Sequence, residues 1–258
     1  MLGNIFDSHA HYDDERFDPD RDQVIASFPG EGIVGVVNAA SDLESSLAGI
    51  RLARRWPFFH CAVGVHPQQA AEAPADYLDQ LRELSREPKV RAIGEIGLDY
   101  YYDYSPKEVQ LRCFEEQLEL ARELGLPVII HDRDAHGDTM DLLRRHRPAG
   151  VVHCFSGSAQ MAREIVDLGM YIGFTGVVTF KNARRALEAA AQVPLDRLLI
   201  ETDCPYMAPE PHRGRRCDSR LLPHTAQALA QVKGIGVQEL LDRTCENARR
   251  LFSISQGE

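Results

Sequence analysis

Short apolar runs rich in β-branched residues recur at a steady interval along the chain, and each is typical of a β-strand. There are eight such runs in 258 residues, which gives about 32 residues per unit. That spacing is typical of strand-plus-helix modules that close a parallel barrel, and near-continuous apolarity suits strands covered on both faces. The predicted strands lie at 4–9, 32–39, 58–64, 90–97, 127–132, 150–155, 170–176 and 198–205.

Amphipathic stretches between these runs predict the helices. The clearest spans 105–125, with Ser105 as its cap, Pro106 in its first position and Gly125 after its end. Because no proline-rich linker or shift in composition divides the chain, we expect one α/β domain over 1–258, a single (β/α)8 TIM barrel. The other predicted helices lie at 42–56, 75–85, 158–169, 182–193 and 237–252.

Composition changes this picture in two respects. The net charge of −10 and the pI near 5.5 exclude a generally basic nucleic-acid surface, so a polyanionic substrate would be held locally by metal and a few cations. Six cysteines occur without a CxxC pair, which favours reduced thiols. No basic-then-apolar leader precedes the first strand and no apolar run approaches 18 residues, so we expect a cytoplasmic protein, a monomer without membrane association.

Metal-type ligands follow several of the predicted strands, at the end of the barrel where active sites form. Residues i and i+2 of a strand point to the same side, so both imidazoles of "HAH" can reach one ion. That motif alone is weak, but four more ligand-type side chains each end an apolar run. The set suits two divalent ions of the Mg²⁺, Mn²⁺ or Zn²⁺ type. Its members are His9, His11, Glu95, His131, His153 and Asp203.

Several of these residues have candidate catalytic roles. Metal ions would polarise the scissile group and lower the pKa of a bound water, while Glu95 can bridge two ions with its two oxygens. Asp203 can anchor an ion and orient that water or accept its proton. Glu201, two residues earlier, either orients a histidine or is a buried structural carboxylate. His66, which ends the third strand, either lines the site or has a structural role before Pro67.

Cationic and aromatic residues suggest how a substrate would be held. Arg133 shares the face of His131 and can contact an anion, although an ion pair with Asp132 or Asp134 is the alternative. The three tyrosines at 100–102 would stack on a nucleobase or pack within their own loop.

The segment "PHRGRR" (211–216) concentrates cations in the loop after the last strand, a barrel region often used for phosphate binding. It is the candidate phosphate clamp, with solvated loop charge as the alternative. Its members are His212, Arg213, Arg215 and Arg216. Cys154 and Cys204 adjoin proposed ligands, but one residue along a strand points to the opposite face, so we expect both in the core.

The motifs "DSHAH", "GVHP", "GEIGLDYY", "IHDRDA", "HCFSG" and "ETDCPYMAP" occur in an order that resembles the TatD family of metal-dependent deoxyribonucleases, within the amidohydrolase-like barrels. The resemblance covers nearly the whole chain. It implies hydrolysis of phosphodiester bonds in DNA from the 3′ end of single strands, with the six ligand-type residues holding divalent metal and Glu95 bridging. One departure is Cys217, which stands about where the family has Asn.

Other functions remain open on the sequence. The same activated water can attack the carbon of an ester, lactone or amide, and a deacylase of modified tRNA or an exonuclease on RNA would use the same constellation. A lysine ending the fourth strand would favour the carbamate-bridged amidohydrolases, whereas Glu95 favours the nuclease branch. A non-catalytic scaffold is the third class, and loss of ligands would indicate it.

Overall fold

A computed structural model of the chain describes residues 2–102 and 104–255. Met1, Asp103 and residues 256–258 lie outside the described residues, which leaves out both ends of the predicted domain. Eight parallel strands form one sheet in sequence order, which confirms the predicted (β/α)8 barrel. The strands are β1 (Ile5–Ala10), β2 (Ile33–Asn38), β3 (Phe59–Val63), β4 (Val90–Asp99), β5 (Val128–Arg133), β6 (Gly150–Val152), β7 (Tyr171–Phe174) and β8 (Leu198–Ile200).

The barrel closes between β1 and the segment that follows β8. The backbone N–H of Asp203 donates to the carbonyl of His9 at 3.0 Å, and that of His11 donates to the carbonyl of Cys204 at 2.9 Å. These bonds lie at the carboxyl ends of the two strands. They bring the first and last ligand-type residues of the sequence side by side.

The interior of the barrel takes one buried apolar residue from each strand, and the C-terminal helix packs against the same cluster. Alternate strand residues face outward, where they pack beneath the surrounding helices. Because the period is two, Ile129 in the interior places His131 on the inner face, and Val151 does the same for His153. The apolar packing of β5 and β6 thus fixes the face on which these two histidines lie.

The helices confirm most of the predicted segments and add three that were not predicted, α1, α5 and α8. The capping prediction for α4 is wrong: the helix starts at Lys107 after Pro106, without a side-chain cap. Ser105 instead donates to the carbonyl of Gln68 and accepts from the N–H of Ala71, both at 3.0 Å. The bounds are α1 (Arg21–Ser27), α2 (Leu43–Arg55), α3 (Tyr77–Leu84), α4 (Lys107–Leu124), α5 (His136–His146), α6 (Ala159–Asp167), α7 (Arg184–Gln192), α8 (Leu222–Lys233) and α9 (Val237–Leu251).

Two findings bear on the compositional expectations. In the described part of the chain, no helix combines the length and the apolar character that crossing a membrane requires. The six cysteines are all free thiols.

Candidate metal centre

Six predicted ligands converge at the carboxyl ends of five strands. His9 lies in β1 and His11 just beyond it, while Glu95 lies within β4. His131 belongs to β5, His153 follows β6 directly, and Asp203 lies three residues beyond β8. The inward phase of β5 and β6 places their histidines at the barrel mouth, whereas His9 and Glu95 lie at register irregularities of β1 and β4.

One group of donor atoms has the spacing that an ion imposes. The Nε2 atoms of His9 and His11 lie 3.0 Å apart, and His9 Nε2 is 3.2 Å from Glu95 Oε2. Asp203 Oδ1 lies 3.4 Å from His11 Nε2 and 3.6 Å from His9 Nε2. Metal–ligand bonds of about 2.0–2.2 Å at tetrahedral or octahedral angles separate ligand atoms by roughly 2.8–3.6 Å. These four residues therefore fit a divalent cation in both chemistry and distance.

A second group surrounds the other oxygen of the same glutamate. Glu95 Oε1 lies 2.7 Å from His131 Nδ1, 2.7 Å from His153 Nε2 and 3.5 Å from His66 Nε2. The two oxygens of Glu95 thus face two different sets of imidazoles. This arrangement is suited to a carboxylate that bridges two ions.

The buried carboxylates dominate the electrostatics of the centre. Burial raises the pKa of Glu95, but the neighbouring charges of His153, His9 and His66 outweigh it and hold that pKa well below its usual range. Burial lowers the pKa of His11, yet Asp203 and Glu95 raise it to about 10. The centre therefore favours positive charge, which protons supply in the absence of an ion; a bound cation would take their place.

The pKa values of His9 and His131 shift in opposite directions. Burial lowers the pKa of His9 to about 4, helped by the charge of His153. For His131 burial is outweighed by hydrogen bonds with Asp99 and Glu95, and its pKa rises to about 9. His9 is thus neutral at neutral pH, the state that a metal ligand requires.

Asp99 holds His131 from behind, a role that the sequence did not predict. Its Oδ2 lies 3.2 Å from His131 Nε2 and accepts from Gln68 Nε2 at 2.8 Å. Its Oδ1 accepts from the backbone N–H groups of Tyr101 and Tyr102, both at 3.0 Å. Because an ionised carboxylate only accepts, it fixes a proton on Nε2 and turns Nδ1 toward Glu95.

Glu201 lies behind the centre rather than in its mouth. Its Oε1 accepts from the backbone N–H of Cys154 at 2.5 Å and lies 3.7 Å from His153 Nδ1, while its Oε2 accepts from Ser8 Oγ at 3.2 Å. A Cβ on Gly173 would lie only 2.4 Å from Glu201 Oε2, so a glycine makes the room for this carboxylate. Burial raises the pKa of Glu201 to about 7. The placement suits an orienting residue, not one that touches substrate.

Asp7 is a second residue that the sequence analysis missed. It is fully buried and accepts from the N–H and the hydroxyl of Thr202, at 2.9 and 2.6 Å, and from Ser219 Oγ at 2.6 Å. These bonds tie the start of "DSHAH" to the segment that carries Asp203. The only sequence signal was an acidic residue two positions before His9, inside a strand of apolar neighbours.

His66 combines the two roles that the sequence left open. Its Nδ1 accepts from the backbone N–H of Gln68 at 3.2 Å, which stabilises the turn through Pro67. Its other nitrogen faces Glu95, and its ring packs edge-on against His131 with 4.5 Å between ring centroids. His66 is therefore a turn residue that also lines the centre.

Two cavities meet at the centre, and both are lined by His131, His153 and Asp203. The tyrosine-side cavity, of about 600 Å³, extends past Tyr102, Tyr104 and Tyr206, with Asp13 and Gln68 in its wall. The phenylalanine-side cavity has a volume of about 530 Å³. It is bounded by Phe155, Phe174, Val178, Phe180, Ala186 and Met207.

Arg133 lines both cavities, and its guanidinium lies over the rings of Tyr101 and Tyr102, 4.1 and 4.8 Å from their centroids. Within residues 2–102 and 104–255, no carboxylate lies within ion-pair distance of it. The alternative of an ion pair with Asp132 or Asp134 is therefore wrong. Asp132 instead accepts from His136 Nδ1 at 2.7 Å.

The arginine-rich loop is not brought to the centre. Arg216 pairs with Asp20 at 2.6 and 2.7 Å, and Arg213 lies 4.3 Å from the centroid of the Phe180 ring. The His212 ring packs near His224, 5.1 Å between centroids. None of the four residues His212, Arg213, Arg215 and Arg216 lines either of the two cavities. The ion pair holds Arg216 away from them, and ring contacts occupy Arg213 and His212.

The cysteines near the ligands differ from one another. Cys204 is fully buried, as expected, and Cys217 is buried too, with its backbone N–H donating to the carbonyl of Pro205 at 3.0 Å. Cys154 does not lie in the core: it is partly exposed and lines the phenylalanine-side cavity. The strand ends before it and its φ is 42°, so the strict alternation behind the prediction does not apply there.

Comparison with known proteins gives a consistent result. A sequence model of the family described as TatD related DNase matches residues 6–253. Relatives include YabD of Bacillus subtilis (strain 168), described as an uncharacterized metal-dependent hydrolase, which is 40% identical over 254 residues and covers 97% of this chain and 100% of its own. A protein of Salmonella typhimurium described as the 3′-5′ ssDNA/RNA exonuclease TatD is 36% identical over 260 residues, covering 97% and 99%.

Solved structures agree with the sequence comparison. The crystal structure of YJJV, a TatD homolog from Escherichia coli K12, superposes with a TM-score of 0.92 at 31% identity. The match covers 99% of this chain and 100% of that one. The similarity therefore extends over the barrel and its mouth.

Proposed function

The chain belongs to the family of TatD-related DNases and is a metal-dependent hydrolase, and from that premise we propose that it is a 3′–5′ exonuclease acting on single-stranded DNA. RNA is the second candidate substrate, since the related exonuclease TatD is described as acting on both. We propose two divalent ions, of the Mg²⁺, Mn²⁺ or Zn²⁺ type, held by the six ligands with Glu95 between them.

Bound ions would supply a Lewis acid for the phosphoryl oxygen and a water of lowered pKa. The protein's residues do the rest. Glu95 and Asp203 provide the negative charge that concentrates cations at the barrel mouth, and Asp203 is placed to accept a proton from the attacking water. Asp99 keeps the imidazole of His131 in its orientation, and Glu201 places a buried carboxylate 3.7 Å from His153 Nδ1.

The observation that carries the nuclease proposal is Arg133. Its guanidinium is held by two tyrosine rings, has no carboxylate partner in the described part of the chain, and borders both cavities beside the ligands. A cation in that position is suited to a phosphate at the centre. In a chain with a net charge of −10, such a local grip favours contact with a strand end over broad duplex binding.

The test is the hydrolysis of 3′-labelled and 5′-labelled single-stranded DNA by metal-stripped protein after adding back Mg²⁺, Mn²⁺ or Zn²⁺. We expect stepwise shortening from the 3′ end that requires metal and is lost in Asp203→Asn. Arg133→Ala should raise KM for DNA more than it lowers kcat, whereas Arg215→Ala, outside both cavities, should change neither.

The competing function is hydrolysis of a carboxylic ester, lactone or amide, or deacylation of modified tRNA, by the same centre. No cleavage of DNA or RNA with any of the three metals, together with metal-dependent turnover of a small ester or lactone, would replace the nuclease proposal with that one.

A further inference from the structure

The two cavities share three of the proposed ligands but differ in chemistry. The apolar part of the phenylalanine-side cavity comes from β7, from the segments after β6, β7 and β8, and from α7. Polar and charged side chains complete its lining, among them Asp132, Asp134 and Arg185. Phe155, Phe174 and Val178 are buried, and Phe180 and Ala186 contribute partly exposed surface. At about 530 Å³ the cavity lies in the range of about 300–1,000 Å³ that small-molecule sites occupy.

The tyrosine-side cavity instead leads outward over exposed rings. Tyr102 and Tyr104 stack with an interplanar angle of 10° and centroids 5.5 Å apart, and Tyr104 is 66% exposed. Across the opening, Tyr206 is 43% exposed and carries the Arg16 guanidinium 4.5 Å from its centroid. Exposed aromatic rings beside cations are typical of surfaces that bind single-stranded nucleic acid without sequence preference.

These two environments match the two sides of the phosphate that an exonuclease cleaves. One side carries a single nucleoside, which needs an enclosed space, and the other carries a strand of any length, which needs an open path. Resting on the proposed function, we propose that the phenylalanine-side cavity holds the base of the 3′-terminal nucleotide while the preceding strand follows the tyrosines.

The chemistry follows from that placement. Water adds its oxygen to the phosphorus, the bond between phosphorus and O3′ of the penultimate nucleotide breaks, and that O3′ takes a proton. The terminal nucleoside 5′-monophosphate is released from the phenylalanine-side cavity. Phe180 is the residue that would contact the base, because its ring lines the cavity. The Arg213 guanidinium lies 4.3 Å from the centroid of that ring. A base–ring contact of this kind accepts every base.

The experiment compares two 5′-labelled single-stranded oligonucleotides of the same sequence with metal-loaded enzyme. One ends in a normal 3′ nucleotide and the other in a tetrahydrofuran analogue that lacks the base, and kcat/KM is measured for removal of the last nucleotide. Wild type should prefer the base-bearing end by roughly 5- to 150-fold, the range that one base–aromatic stack gives. That ratio should fall toward one in Phe180→Ala and in Ala186→Phe, which fills the cavity.

Two further variants keep the result independent of folding. Phe180→Tyr retains the ring and should keep the wild-type preference for the base-bearing end. Arg184 is an exposed α7 residue paired with Glu188, and Arg184→Ala should also leave that preference unchanged. If wild type cleaves neither oligonucleotide with Mg²⁺, Mn²⁺ or Zn²⁺, the proposed function is overturned. Efficient cleavage of both at equal rates, or a ratio that Phe180→Ala and Ala186→Phe leave unchanged, would overturn the assignment of the cavity alone.

Discussion

Asp99 determines which nitrogen of His131 is free to bind a cation. The carboxylate accepts on both oxygens, from two backbone N–H groups on one side and from Gln68 and His131 on the other. An Asn at this position has one accepting oxygen and one donating amide. In either orientation the amide would face a donor, either the backbone N–H groups of the tyrosine loop or His131 and Gln68.

We therefore predict that Asp99→Asn weakens metal binding or activity by about 10- to 100-fold, since His131 would lose the partner that fixes its proton on Nε2. Metal affinity, measured by calorimetric titration of the stripped protein, and kcat on single-stranded DNA are the readouts. Asp138→Asn is the matched control. Asp138 lies away from the centre and accepts a hydrogen bond from the Tyr100 hydroxyl, with 2.6 Å between the two oxygens. Wild-type affinity in Asp99→Asn would show that the contact has no orienting role.

The ligand-type residues could be predicted from the sequence because they follow or interrupt apolar runs. The period of two gives the face of His131 and His153, whereas His9 and Glu95 lie at register irregularities of β1 and β4 that the alternation does not predict. The residues that support them could not. Asp7 contacts Thr202 and Ser219, which lie 195 and 212 residues away in sequence. Asp99 contacts His131, which lies 32 residues away. Such partners exist only once the barrel has closed. The arginine-rich loop shows the converse: a cluster of charge in sequence did not become a cluster at the centre.

At the scale of elements, strands were easier to predict than helices. Each strand is a buried run that needs no start signal, and the eight predicted runs match the eight observed strands to within a few residues. The three missed helices, α1, α5 and α8, begin without a side-chain cap. The predicted helices α3, α4, α7 and α9 also lack one, so capping does not separate the missed helices from the predicted ones. By contrast, α2 and α6 follow the capping residues Asp42 and Ser158, whose side chains accept hydrogen bonds from backbone N–H groups of the first turn.

The cap of α6 gives a prediction for stability. Ser158 Oγ accepts from the backbone N–H of Met161 at 3.1 Å, so Ser158→Ala leaves one helix donor without that partner. We expect the free energy of unfolding to fall by about 1 kcal/mol, measured by urea denaturation, with DNA hydrolysis unchanged.

Ser85→Ala provides the comparison for that variant. The Ser85 hydroxyl donates to the carbonyl of Leu81, which already accepts the Ser85 N–H at 2.9 Å, so its loss leaves no donor unpaired. Its effect should stay within about 0.5 kcal/mol. Equal losses in the two serine variants would mean that the cap of α6 contributes nothing specific.

At the scale of the whole molecule, the centre joins parts of the chain that are far apart in sequence. The donor residues come from β1, β4, β5 and the segments after β6 and β8, so two ions held by them, with Glu95 between, would together link five of the eight strands. Opening any of these strands would release at least one ligand. Binding should therefore favour the closed barrel over every partly unfolded state.

We accordingly predict that metal removal lowers the melting temperature. A cation at 100 times its dissociation constant stabilises the folded state by about 2.7 kcal/mol, which corresponds to roughly 5–10 °C for a chain of this size. The measurement is thermal unfolding of metal-loaded and EDTA-stripped protein at the same pH, with metal content checked in each sample.

Glu95→Gln distinguishes the effect of losing bound metal on the melting temperature from a general effect of the chelator. Gln keeps the size of the side chain but removes the charge that faces both imidazole groups, so the variant should bind ions weakly. Its melting temperature should then be the same with and without EDTA. A wild-type protein that is verifiably free of metal yet melts at an unchanged temperature would mean that the ions serve the chemistry of the barrel mouth without helping to hold the barrel closed.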